Sequence, residues 1–298
     1  MSVSAPHASV IVRTKDSGRT LAAVLSRLRA QTIPAEIIVV DSGSSDDTLA
    51  IARERANSVI EIAADSFSYG RALNVGAAAA CAPFHFALSS HSCPPDDQWL
   101  ERSLSHYDRP DVAATSGVPN APGSPEPLLG TYYQTPADAV RHPWWGLSNT
   151  GSSWRAEVWA TFPFDERLPA CEDKEWGLRV LAAGWTIALD STLSVSDGHR
   201  RAQGIACLYR RTRRESCAIG SFMPLPQFTA RDLLREWFCE IPADAPLGGW
   251  RRRLSHYRLA ELLGKYQGLR ERELAPPAAV AAQVRTAPAG PRGSAEDA

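Results

Sequence analysis

No stretch of the 298-residue chain stays apolar for the roughly 18 residues that a membrane-spanning helix needs. The longest run of small apolar residues, 75–83, is too short and is mostly alanine. Charge of one sign is missing as well. The 32 Lys and Arg against 33 Asp and Glu leave a net charge of −1, so no overall field draws the chain to nucleic acid. Cysteine is sparse. The six cysteines form no CxxC pair and match no zinc spacing, which reads as reduced thiols of a cytoplasmic protein. The first eight residues lack the basic and apolar regions of a secretory signal, in line with that expectation. No GxGxxG follows the first apolar run and no GxxxxGK[ST] occurs, which argues against a Rossmann dehydrogenase and a P-loop NTPase. GxSxG is missing too, which argues against an α/β-hydrolase. What remains is an ordinary globular composition, 44% hydrophobic and 22% charged. The length fits about two domains, or one large α/β domain with an appendage.

The periodicity supports the second description. Short continuous apolar runs stand at residues 9–13 (SVIVR), 36–40 (EIIVV), 58–62 and 85–89 (HFALS). Helical spacing separates them, with Leu21, Val24, Leu25 and Leu28 on one stripe and a second helix over 48–55. Such alternation predicts buried parallel strands in βαβ units, and so a doubly wound α/β layer. Ligands of such sheets sit at the carboxyl ends of the strands, here the polar segments 14–16, 41–47, 65–71 and 90–94. Residues 109–143 read as Pro/Gly-rich loops around a short strand at 112–116, and 144–154 is polar and tryptophan-rich. Further helices are predicted over 173–183, 205–219, 231–240 and 250–273, with a strand at 186–189. The Ala/Pro-rich tail from 275 to 298 reads as disordered.

Seven blocks then appear in order: SVIVRTKD (9–16), EIIVVDSGSSDDT (36–48), FSYGRALNVG (67–76), FALSSHSCPPDDQWLE (86–101), LSNTGSSWRAEVW (147–159), PFDERLPACEDKEW (163–176) and SVSDGHRR (194–201). Together they resemble the family 2 inverting nucleotide-sugar glycosyltransferases, in particular a rhamnosyltransferase-like bacterial branch. The resemblance implies a GT-A fold, an α/β architecture with a mostly parallel sheet flanked by helices, over residues 1–203. A helical C-terminal extension (204–274) and the tail (275–298) follow.

The resemblance also assigns roles. Asp173 is implied as the base that deprotonates the acceptor hydroxyl, with Glu172 beside it. Thr14, Asp41, Arg71, Asn74, Ser90 and Arg200 are implied in donor binding. Asp46 or Ser45 reads as the cap of the second helix. Trp144, Trp145, Asn149 and Trp176 are implied around the sugar and acceptor. A divalent metal, Mn²⁺ or Mg²⁺, is implied on the donor diphosphate. There the pattern departs from the family: His91 stands where relatives carry an aspartate, with His199 as its expected partner. Imidazole suits Mn²⁺ less well than carboxylate does. The alternative is that His91 hydrogen-bonds the diphosphate without metal. The basic run 210–214 reads as a solvated helix face, a diphosphate contact or a membrane-surface contact.

The expected partners are a nucleotide-sugar donor, with UDP-sugars before dTDP-sugars, and a small natural-product (antibiotic-type) or saccharide acceptor. A homodimer through the C-terminal helices is a further expectation; nucleic acid and a membrane span are not. Two other readings stay open: an inactive module that binds a nucleotide sugar or glycan, and a sugar nucleotidyltransferase. The latter would want a Gly-rich loop and lysine after the first strand, and Gly18 alone is not that.

Overall fold

A computed structural model describes residues 6–118, 130–197, 204–223, 225–238 and 255–271. Its first half alternates strand and helix as the periodicity predicts: β1 (Ala8–Thr14), α1 (Leu21–Arg29), β2 (Ala35–Asp41), α2 (Thr48–Arg55), β3 (Ser58–Glu61), α3 (Tyr69–Ala79) and β4 (Phe84–Ser89). There follow β5 (Ser92–Cys93), α4 (Trp99–Ser105), β6 (Val112–Ser116), β7 (Thr131–Gln134), α5 (Pro136–Arg141), β8 (Gly151–Arg155) and α6 (Ala156–Thr161). The remainder is α7 (Glu172–Ala182), β9 (Thr186–Asp190), β10 (Ser196–Asp197), α8 (Ile205–Phe222), α9 (Ala230–Phe238) and α10 (His256–Glu271). One eight-stranded sheet runs β3-β2-β1-β4-β8-β6-β9-β7. Its first four strands are parallel neighbours, while β8 runs antiparallel to both β4 and β6.

The apolar runs are continuous because both sheet faces are covered. Val10, Val12, Ile37, Val39, Phe86 and Leu88 pack with Leu21 and Leu25 of α1 and Trp99 of α4. Ile11, Ile38, Val40 and Ala87 point the other way, into a core with Leu73 of α3, Trp154 and Trp176. Each such side chain withdrawn from water contributes about 1.5–3 kcal/mol before entropy is counted. Gly76 lets α3 lie directly on β1, because a Cβ there would collide with the Ile11 side chain.

The sequence does not predict β7, α5 or β8. Strand β8 (GSSWR) is central yet carries no apolar stripe. Its Ser153 instead joins a buried hydroxyl cluster, 2.8 Å from Ser103 and Thr115 and 2.7 Å from Tyr107. Mutual hydrogen bonding removes the cost of burying these groups, so a polar strand is stable at mid-sheet. Over 109–143, expected to be loop around one strand, the described residues also include α5. That helix starts at a capping box in which Thr135 and Asp138 bond each other's backbone N–H groups.

On β4, His85 is buried edge-on to Trp154, and its Nδ1 has no hydrogen-bond partner among the described residues. Burial pushes its imidazole down to about 4, outweighing the attraction of Glu36. The unfolded chain therefore takes up this proton first. Stability supplied by neutral His85 is present above the ordinary imidazole range and is lost as pH falls from there towards 4. A depression of that size corresponds to about 3 kcal/mol. His85→Phe is expected to flatten the fall in melting temperature between about pH 7 and pH 4 relative to the parent chain. Parallel melting curves for the two proteins would show that another group carries the acid sensitivity.

Candidate active site

Strand register gathers the site. Thr14 closes β1 opposite Asp41 of β2, and Arg13 lies opposite Ser89 of β4. Because β8 runs antiparallel with Gly151 opposite Leu88, the residues just before it reach the same sheet end. Helix α7 also starts there, after Cys171, whose φ of 60° turns the chain sharply into the helix.

These ends converge on Arg13. Its guanidinium donates to Glu172 Oε1 at 3.2 Å and to the Asn149 carbonyl at 2.6 Å. Asn149 in turn donates its side-chain amide to Glu172 Oε1 (3.3 Å) and its backbone N–H to Asp173 Oδ2 (3.2 Å). Lys174 donates from its ammonium to the carbonyls of Gly146 and Leu147, fixing the turn that carries Asn149. The adjacent carboxylates thus differ. Glu172 is 4% exposed, and its carboxyl is raised above the ordinary range by burial and by Asp173, with Arg13 opposing. Asp173 is half-buried, held by two backbone N–H groups in the first turn of α7, where the helix dipole favours negative charge. Asp173 also borders a small cavity lined by Trp145, Leu147, Lys174, Phe222 and Met223.

The loops after β1 and β2 are bound together. Asp41 is fully buried; its carboxylate accepts the N–H groups of Gly43 and Ser44 and the Ser44 hydroxyl. The N-cap of α2 is Asp47 rather than the expected Asp46 or Ser45, while Asp46 accepts the Thr48 N–H at the start of α2 and the Gly18 N–H across the gap. Ser45 instead donates to Asp16. Ser17 lies 2.8 Å from the hydroxyl of buried Ser90, joining this loop to the turn after β4. Thr14 is buried here, and its hydroxyl has no partner among the described residues.

Other expected residues fall elsewhere. Trp176, expected near the sugar, is fully buried; its indole N–H donates to the Phe162 carbonyl and its ring packs on Phe164 and Trp154. It is a core residue. Trp145 is 3% exposed and stacks edge-on with Tyr132, reaching the site only as cavity wall, while Trp144 is half-buried. Asn74 spends its amide on the 159–166 segment: it donates to the Phe164 carbonyl and Glu166, and accepts from Phe164 N–H and the Trp159 indole. Arg71 is paired with Glu166 at 3.4 Å. Both act on that segment rather than facing an open pocket. His91 sits in the turn between β4 and β5, and β5 pairs with β10 so that Ser92 faces Asp197. His199 and Arg200 lie outside the described residues, as does the tail 275–298. Among the described residues no group of three His, Cys, Asp or Glu could hold a metal. The turn itself offers one imidazole between two serines, a donor set that does not fit a carboxylate-type Mn²⁺ or Mg²⁺ centre.

Sequence reasoning missed Arg13, Tyr69 and Lys174. Arg13 carried a signal: a charge closing an apolar strand at the end where such sheets build their sites. Lys174 and Tyr69 carried none, because each is an ordinary helix residue until its contacts are seen.

With this geometry in place, likeness to known proteins is specific. Residues 9–152 match the family described as Glycosyl transferase family 2. The O-antigen chain rhamnosyltransferase WbaN of Salmonella anatum is 27% identical over 182 residues, 56% of this chain and 57% of that protein. The O-antigen chain rhamnosyltransferase RfbN of Salmonella typhimurium is 23% identical over 207 residues, 64% of this chain and 66% of that protein. The chain thus spans under two thirds of the length of these curated relatives. Among solved structures, a mannosyltransferase from Pyrobaculum calidifontis, in complex with GDP-Man and Mn²⁺, superposes with a TM-score of 0.57 at 16% identity, covering 94% of this chain and 79% of that one. S. aureus TarS in complex with UDP-GlcNAc gives 0.52 at 20% identity, covering 88% and 90%. Residues 9–152 thus carry a glycosyltransferase family 2 domain, and the chain has the GT-A fold.

Proposed function

We propose that this protein is an inverting glycosyltransferase that moves a sugar from a nucleoside diphosphate to a saccharide hydroxyl, with Asp173 as the base. The observation that carries the reading is the asymmetry of the carboxylate pair. Glu172 is sealed in and bonded to Arg13 and Asn149, whereas Asp173, at the carboxyl end of the sheet, is half-exposed and borders a small cavity that runs along α7. In an inverting displacement one carboxylate takes the acceptor proton while the oxygen attacks the anomeric carbon from the face opposite the leaving diphosphate. Asp173 is free for that part, and Glu172 with Arg13 fixes the start of α7. The names of the two Salmonella relatives favour a saccharide acceptor over an antibiotic intermediate and make rhamnose the sugar to try first. Among the described residues no metal centre is formed, and His199, the expected partner of His91, lies outside them. The Mn²⁺ in the Pyrobaculum complex is the reason to keep a metal arm in the test.

The test is a thermal-shift screen of UDP-, dTDP- and GDP-sugars, each with EDTA or with Mn²⁺, followed by a turnover assay on whichever donor binds. A donor at one hundred times its Kd stabilises the native state by about 2.7 kcal/mol, a shift of several degrees. We expect one nucleotide class to shift the transition and to be consumed. Silence from all donors under both conditions would end the glycosyltransferase reading, and binding without turnover would leave a nucleotide-sugar-binding module.

A further inference from the structure

Helix α8 brings a second group of cations to the rim of the site. Its central turns carry Arg210, Arg211, Arg213 and Arg214. Two of these are neutralised: Arg211 by Glu215 at 2.7 Å, and Arg213 by Glu271 of α10 at 2.6 Å. The other two stand one helical turn apart, are exposed, and pair with no carboxylate among the described residues. Arg214 turns toward the active site. Its Nη2 lies 3.4 Å from the Tyr69 hydroxyl and its guanidinium carbon 5.7 Å from the centre of that ring. Arg13, whose other contacts are Glu172 and Asn149, lies 5.5 Å from the same ring centre. Tyr69 opens α3 and therefore links the α8 arginines to the carboxylate pair. The Cys171 thiol, just before Glu172, also reaches the Glu215 carbonyl of α8 at 3.8 Å.

An arginine laid along an aromatic face keeps its edge N–H groups free for a ligand while the ring limits its rotamers. Two uncompensated guanidinium groups one turn apart repel each other, and a dianion placed between them relieves that repulsion. We propose that Arg214 and Arg210, with the Tyr69 hydroxyl, form a phosphate-binding subsite at the mouth of the active site, which takes the diphosphate of the donor or a phosphate carried by the acceptor. The subsite supplies positive charge from the chain itself. The proposal rests on the glycosyltransferase reading only for the source of the phosphate, not for its binding.

The experiment is calorimetric titration of the full chain, in EDTA, with inorganic pyrophosphate and with UDP, GDP and dTDP. Arg214→Gln is expected to weaken pyrophosphate at least tenfold, Arg210→Gln less, and Arg214→Lys to recover part of the loss, with melting temperatures close to the parent value. If the nucleoside diphosphate that binds best weakens by the same factor and competes with pyrophosphate, the phosphate is the donor's. If pyrophosphate weakens while nucleoside diphosphates do not, it belongs to the acceptor. Pyrophosphate affinity unchanged in Arg214→Gln, or no pyrophosphate binding to the parent chain, overturns the subsite. Failure of every nucleoside diphosphate on the parent chain, with pyrophosphate still bound through Arg214, would instead count against the proposed function.

Discussion

Asp173→Asn is expected to lower sugar transfer by roughly two to four decades, the range that a lost general base produces. Donor affinity should stay within a factor of about two, because the base acts on the acceptor, and uniform binding is untouched when only a transition-state interaction is removed. The substitution is conservative in structure. The amide oxygen of asparagine still accepts the Asn149 N–H, one of the two bonds that hold the carboxylate in place. Turnover of donor and calorimetry of donor binding are to be measured on the same preparation. If no acceptor is yet in hand, transfer to water serves as the readout. Turnover near the parent rate would remove Asp173 from the mechanism and direct attention to Glu172.

Arg13→Met should produce the largest loss of stability of any single change near the site. The Arg13 and Glu172 side chains are 11% and 6% exposed. Removing one member of a buried ion pair strands the other, which typically costs about 3–5 kcal/mol. The pH dependence distinguishes this cause from lost packing. The folded-state carboxyl of Glu172 is already raised by burial and by Asp173, and it is Arg13 that opposes the rise. Without Arg13 it rises further. A carboxyl raised in the folded state favours folding when protonated, so its penalty appears as pH climbs through the window above the ordinary carboxylate value. Arg13→Met should therefore be least stable near neutral pH and recover part of the deficit at about pH 5. Adding Glu172→Gln should recover part of it at neutral pH as well, since the stranded charge is gone. Equal deficits at both pH values, with no recovery in the double variant, would assign the loss to the methylene packing of Arg13.

Much of this arrangement was legible in the chain, and what was not has physical causes. Buried parallel strands announce themselves as unbroken apolar runs because both of their faces are covered, so β1, β2 and β4 could be placed to within a residue or so. Strand β8 could not, since one of its faces is buried through the Ser153 hydroxyl and a lone Trp154 on the other leaves no periodic apolar signal. Glu172 and Asp173 were found together, but their division of labour was not readable: it depends on Arg13, 159 residues away, sealing one carboxylate and not the other. Trp176 misled in the opposite direction. A tryptophan near a sugar site is a tempting platform, yet its spacing on α7 directs it into the layer that also holds Trp154 and Phe164. Asn74 and Arg71 sit at the expected place in the chain, but the 159–166 segment takes up their polar groups.

The contact between α8 and α10 has a consequence for which changes of length the chain can absorb. Gly264 and Gly268 face α8 so closely that a Cβ at the first would come within 2.7 Å of the Tyr209 carbonyl oxygen, and one at the second would overlap that of Arg213. One residue inserted between these glycines would rotate the rest of α10 by about 100° and drive a side chain into the helix that carries Arg214. A change of length between these two positions is therefore excluded, and the four-residue step from Gly264 to Gly268 acts as a fixed ruler between α10 and the helix that carries Arg214.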